Sequence, residues 1–487
     1  MTGQLQKKAT NAFLWDMLGI FAKQGVAFIV SIFLARLLMP AEFGLVAMAL
    51  VFISISQIFA DFGLASALIQ NSNNTSLTYS SVFYLNIVVG IILFLLFWFL
   101  APGIGDFYAN EKIATLVRYL SLNFIFSSFN QVQQTILRKN IEFRKISLRA
   151  TLAQTLSGII AIMMAYNGWG VYALVAQNLL GSVFGTLLLW QVAEWKPRLE
   201  FSWHEVRKLS GFSVYVFLSY VTGKLTSQLD TLIVGKAFSP ATLGLYSRAT
   251  SLNSLVTTFS SGSISKISFS LLSHIKDDKE RFIRAYLKLL ELVAFASFCL
   301  SGALIFAGAD IINILFGDNW TPSIFIFQIL VLKSFTYPIS LLIVSVFWAG
   351  GKSKESFWYG IVGKIIAIIP LLVAVGWGFN PFLYAVVMAA ILNWILTNWF
   401  VSISFGISFL DQCRVIVLYF CLFFGIGFIA YLFSHYNNIH FPFSGIALGL
   451  SFACTYFGSN ALLKTKGYVY SMEYLRPVWG RLKNKLD

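Results

Sequence analysis

The chain has 487 residues, of which 58% are hydrophobic and only 11% charged, with a net charge of +15. A soluble domain carries roughly 25% charged residues, so the composition excludes a water-soluble globular protein and points to an integral membrane protein. The basic residues are spread along the chain rather than gathered on one face, which argues against nucleic-acid binding.

An apolar helix needs roughly 20 residues to cross a bilayer. The apolar runs here have that length, and the strict alternation of a barrel strand is absent. An all-α membrane protein is expected, with about fourteen spans over 12–37, 43–69, 78–101, 114–137, 146–166, 170–193, 212–237, 243–270, 284–308, 322–349, 356–376, 381–404, 413–433 and 443–463. The first follows MTGQLQKKATNAF, which carries no small-residue cleavage site, so it is expected to be retained. The clearest is the third, within which LNIVVGIILFLLFWFLA covers Leu85–Ala101.

The lysines and arginines fix an orientation. With the N-terminus in the cytoplasm, 25 of the 35 fall in inside segments, while Arg36, Lys112, Lys236 and Arg248 fall outside or at outer margins. Both termini are therefore expected in the cytoplasm, and the net charge mostly reflects this bias.

The loops after spans one and seven repeat a motif. MPAEFGLVAMA (Met39–Ala49) and SPATLGLYSRA (Ser239–Ala249) share Pro, Ala, Gly, Leu and Ala in one frame. GWGVYALV (Gly168–Val175) before span six is echoed by GWGFNPFLYAVV (Gly376–Val387) before span twelve. Six intervening spans preserve orientation, so two parallel six-helix lobes are expected, 1–200 and 201–405, related by an axis along the membrane normal. Spans thirteen and fourteen and a basic cytoplasmic tail complete the chain over 406–487. Proline pre-sets the turn, and the glycine lets the next helix start close to a neighbour.

Ionisable residues inside spans are costly and tend to face a cavity. The cations are Lys23, Arg36, Arg118, Lys224, Arg248, Lys266, Lys333 and Lys364, and the acids are Asp16, Asp61 and Asp230. Eight against three predicts a positive chamber suited to an anion such as a diphosphate. Snorkelling to the interface is the competing expectation, most of all for Arg36 and Arg248 beside the repeated turn. The acids are candidates either for carrying a coupling ion or for acting as counter-ions. Trp15, Tyr84, Tyr215, Tyr220 and Tyr337 are candidates for stacking on sugar rings.

No catalytic or cofactor site is expected. There is no Walker motif, the four histidines show no metal spacing, and the four cysteines read as apolar packing residues. Asp277 and Asp278, in IKDDKERFIR, read as a solvated loop opening a helix.

FLARLLMPAEFGLVAMA followed by DFGLASALIQ resembles the start of a bacterial polysaccharide flippase, nearest the colanic-acid and teichuronic-acid exporter branch. LRKNIEFRKISLRA, LDTLIVGKAFSPATLGLYSRA and ILFGDNWTPSIFIFQIL continue the resemblance over about residues 5–400. It implies the fold of the multidrug/oligosaccharidyl-lipid/polysaccharide (MOP) superfamily. It also implies a substrate, an undecaprenyl-diphosphate-linked oligosaccharide moved from the inner to the outer leaflet of the bacterial inner membrane for surface polysaccharide synthesis. Membrane lipids are implied partners, polysaccharide polymerase and chain-length proteins are partners from the family context, and a monomer is expected. The alternatives are an ion-coupled small-molecule exporter of the same fold and a membrane enzyme acting on lipid-linked sugars. The expected outer loops, about Pro102–Ile113 and Ala309–Thr321, are too short for such an enzyme's domain.

Overall fold

The computed structural model describes residues 2–436 and 443–473. Some side chains within that range, those of Tyr215 and Lys266 among them, lie outside the described set. The chain forms two compact units, Met1–Ser247 and Arg248–Asp487, and the division falls inside one helix.

The first unit contains α1 (Thr2–Leu37), α2 (Pro40–Ser56), the short α3 (Leu64–Gln70), α4 (Ser76–Phe107), α5 (Glu111–Lys139), α6 (Phe143–Tyr166), α7 (Val171–Val192), α8 (Trp203–Ala237) and the start of α9 (Pro240–His274). Here α4 packs along α5, α1 along α6, and α6 along α7. The second unit holds the rest of α9, then α10 (Lys279–Phe316), α11 (Ser323–Ser334), α12 (Thr336–Ala349), α13 (Ser353–Trp377), α14 (Phe379–Phe405), α15 (Phe409–Tyr436), α16 (Ser444–Leu462) and α17 (Lys466–Glu473). Its core is aromatic: Phe298 stacks on Phe335 at 4.5 Å, and the buried Tyr286 hydroxyl donates to Gln412 Oε1 at 2.8 Å.

The expected spans lie mainly on helical chain, with the second, 43–69, broken between α2 and α3. Among the described residues, ten helical segments are long and apolar enough to cross a membrane, or eleven if α16 and α17, bent by 98°, count as one. The helices overrun the expected outer loops, since α4 continues to Phe107 and α10 to Phe316. Large apolar side chains such as Phe99, Leu372 and Met388 are left exposed, as a lipid-facing surface requires.

The repeated motif is a repeated structure. Pro40 and Pro240 open α2 and α9, at a position where proline's missing N–H leaves no bond unmade. Within the first unit the two turns meet reciprocally. A side chain on Gly44 would stand 1.7 Å from the Pro240 carbonyl oxygen, and one on Gly244 would stand 1.8 Å from that of Pro40. Only glycine permits that approach. The second echo also holds: Gly170 and Gly378 precede α7 and α14 with φ of 55° and 97°.

The start of α4 in the first unit is tied to the chain before and within α8 by small buried hydroxyls. Thr78 Oγ1 donates to Glu205 Oε2 at 2.6 Å, while Ser80 and Ser81 accept from the backbone N–H groups of Arg198 and Ser202. Asp278 caps α10 by accepting from the Arg281 N–H at 2.9 Å, the role its charge run suggested. The four cysteines are free.

Candidate functional site

Polar residues recur at helical spacing on two long helices of the first unit. On α5 they are Asn123, Ser127 and Asn130 with Gln131, and on α7 they are Asn178, Ser182 and Thr186. Steps of three and four residues put each set on one face. The two faces meet in a seam: Ser182 donates to Asn123 Oδ1 at 2.5 Å, Asn130 donates to Thr186 Oγ1 at 3.2 Å, and Thr186 donates to the Phe126 carbonyl at 3.0 Å. In an apolar surround such bonds join helices that hydrophobic burial alone would not.

Two cavities open along this seam and share Asn178 and Ser182 as lining. The larger, about 540 Å³, is lined by Gln57, Asp61, Asn123, Gln131, Tyr220 and Lys224 among others. The smaller, about 390 Å³, is lined by Lys23 of α1, Asn130 of α5, Arg149 and Gln154 of α6, and Gln177 of α7. The two adjoining cavities, both within the unit, make up its polar chamber by sharing Asn178 and Ser182.

Its charges are specific. Among the described residues, neither the Lys23 nor the Lys224 ammonium has an ion-pair or hydrogen-bond partner. Arg149 is only 8% exposed. One of its terminal nitrogens donates to the Gly185 carbonyl at 3.1 Å, and its Nε has no partner among the described residues. A buried guanidinium with spare donors calls for an anion. Among the described residues, Asp61 is the lone carboxylate in the lining. Its Oδ1 accepts from the Ala65 N–H at 3.0 Å, so it caps α3 where the second span breaks at Phe62 and Gly63, whose φ values are 48° and 76°.

The other expected residues are distributed elsewhere. Arg118 stands 5.7 Å over the Trp98 ring. Arg36 sits exposed in the last turn of α1, and Asp16 is half-buried earlier on that helix. Asp230 accepts from the Tyr246 hydroxyl at 3.3 Å. In the second unit, Arg248 is half-buried on α9, Lys333 half-buried in the last turn of α11, and Lys364 exposed on α13. The Lys266 side chain lies outside the described residues. Of the aromatic candidates, Tyr220 lines the chamber; Trp15 is engaged by Arg144 at 5.2 Å, Tyr84 packs on Phe83, and Tyr337 is exposed.

Sequence reasoning missed Arg149, which stands near enough to a basic loop to count as part of it. It also missed the amides, because a search for intramembrane charge passes over Asn and Gln. The signal was present in LNFIFSSFNQVQQ, whose amides recur within a span.

The fold of the helix bundle is that of solved MOP-superfamily proteins. It matches the lipid II flippase MurJ in an inward closed conformation with a TM-score of 0.72 at 14% identity, covering 96% of this chain and 99% of that one. An inward-facing multidrug resistance MATE transporter of the MOP superfamily matches with a TM-score of 0.60 at 14% identity, over 84% of this chain and 98% of that one. The sequence model of the family described as "Polysaccharide biosynthesis protein" matches residues 33–325, and the chain belongs to that family. Similar proteins include the lipopolysaccharide biosynthesis protein WzxC of Escherichia coli (strain K12), 25% identical over 76% of each chain. Another is the teichuronic acid biosynthesis protein TuaB of Bacillus subtilis (strain 168), 24% identical over 71% of this chain and 72% of that one. The succinoglycan biosynthesis transport protein ExoT of Rhizobium meliloti (strain 1021) is 24% identical over 74% of this chain and 73% of its own.

Proposed function

We propose that this protein flips undecaprenyl-diphosphate-linked oligosaccharide units from the inner to the outer leaflet of a bacterial inner membrane, supplying surface polysaccharide synthesis. The observation that carries the reading is the chamber, where, among the described residues, Lys23 and Lys224 lack partners and the buried Arg149 keeps a donor without one. Charge inside a membrane protein is costly, and three cations against one carboxylate, none of them in an ion pair among the described residues, are explained by an anionic cargo. The family and the names of its similar members, which are polysaccharide biosynthesis and transport proteins, support the same cargo class.

In this reading the diphosphate is held by Lys23, Arg149 and Lys224, and Lys333 and Lys364 are further candidates. Tyr220 and the chamber amides meet the sugars. Alternating access runs between two six-helix lobes, 1–200 and 201–405, as the cavity opens first inward and then outward. Asp61 serves helix geometry rather than ion coupling. The chain acts without catalysis, with both termini cytoplasmic, as a monomer that hands its cargo to polymerase and chain-length proteins.

Deleting the gene in its native host, with mass spectrometry of the lipid fraction, tests the reading. Surface polymer should fall and an undecaprenyl-diphosphate oligosaccharide should accumulate. Unchanged lipids and polymer, in a strain lacking other transporters of this family, would favour a small-molecule exporter instead.

A further inference from the structure

A second polar cavity, about 310 Å³, lies apart from the chamber but in the same unit. Gln133 and Asn140 at the end of α5, Glu142 and Lys145 around the start of α6, and Glu194 and Trp195 after α7 line it. Gln133 is only 1% exposed, yet neither its amide oxygen nor its nitrogen has a partner among the described residues. The Trp195 indole N–H is buried and unpaired in the same way. At the mouth, Lys145 pairs with Glu142 at 2.6 Å and with Glu194 at 3.3 Å.

A buried carboxamide without partners carries the full penalty of its lost hydration. Two orphaned groups in one cavity therefore point to an occupant that both donates and accepts. The lining offers carboxamide and indole donors, one ammonium, a carboxamide acceptor and two carboxylates. Its ionisable groups sum to one negative charge, which disfavours phosphate. A vicinal diol satisfies both kinds of group at once, and the volume sits at the small end of the usual range for ligand sites.

Position adds to chemistry. Lys145 precedes Arg149 by one turn of α6, and Gln133 follows Asn130 by three residues of α5. At about 1.5 Å per residue, the cavity sits about 5–6 Å along the helices from the chamber. The displacement runs toward the basic end that the lysines and arginines assign to the cytoplasm.

We propose that this cavity is a neutral-sugar subsite that takes one pyranose ring of the lipid-linked oligosaccharide beside the site of its diphosphate. The identity of the cargo rests on the flippase reading; the sugar affinity is a property of the protein alone. Full-length protein in lipid nanodiscs, probed by saturation-transfer NMR with free glucose, galactose, mannose and N-acetylglucosamine, tests it.

Transfer to at least one of the four is expected, with no displacement by inorganic diphosphate. The signal should drop at least fivefold in Gln133→Leu and in Trp195→Phe. Gln133→Leu removes no described protein hydrogen bond, so its thermal midpoint should not fall, and Trp195→Phe keeps an aromatic ring while removing the N–H. Transfer to none of the sugars, leaving the cavity to water, would overturn the proposal. So would equal transfer in both variants. Because leaflet measurements judge the flippase reading and this experiment judges binding, either can fail without the other.

Discussion

Arg149 is almost wholly buried, spends one donor on the Gly185 carbonyl, and has an Nε without a partner among the described residues in the cavity it lines with Lys23. Arg149→Gln should lower surface polymer at least tenfold at unchanged protein level, measured by quantitative blotting of both. Arg149→Lys should restore only part of it, because an ammonium cannot reproduce the planar fork. Neutralising Lys23 and Lys224 together should also cut export, and full export in that double variant would contradict a cationic site. At this scale the sequence made Lys23, Lys224 and Asp61 visible, because charge within an apolar run stands out. Arg149 was hidden by its neighbours in the basic loop, and the amides by their neutrality.

At the scale of the element, the repeated turn has a mechanical consequence. The reciprocal contact of Gly44 and Gly244 with the opposite proline carbonyls leaves no room for a methyl group. Gly44→Ala should destabilise the protein by about 1–3 kcal/mol, the usual cost of overpacking, read as a lower thermal midpoint in detergent. Gly25→Ala, with nothing within 4 Å of its built Cβ, is the matched control and should not lower it. The contact between the starts of α4 and α8 is pH-dependent. The Lys208 ammonium, and then the Thr78 hydroxyl, hold the Glu205 carboxyl below its ordinary pKa of 4.5. A depressed carboxyl stabilises the fold above its unfolded pKa and loses that contribution as pH falls through the folded one. Acidification below about pH 4.5 should therefore weaken the wild type more than Glu205→Gln, measured as thermal midpoint against pH. The helices and repeat were legible from apolar length and motif frame. The helix α5, expected as the span 114–137, is not among the ten segments apolar enough to cross a membrane, and one of its faces is the polar seam with α7.

For the whole molecule, composition alone excluded a soluble protein, and the motifs pointed to the family that the sequence match shows. The chamber was not legible in the same way, because cavities depend on how Asn178 and Ser182 of α7 face α5, and periodicity alone does not bring two helices together. The central claim joins cargo to chamber, and the most direct measurement is the leaflet distribution of the lipid-linked oligosaccharide. It should be made in a deletion strain complemented with either the wild type or the Lys23→Gln, Arg149→Gln, Lys224→Gln triple variant. The account predicts that the triple variant, expressed at the wild-type level, traps undecaprenyl-diphosphate oligosaccharide in the inner leaflet. Accumulation in the outer leaflet, or export equal to the wild type, would contradict it.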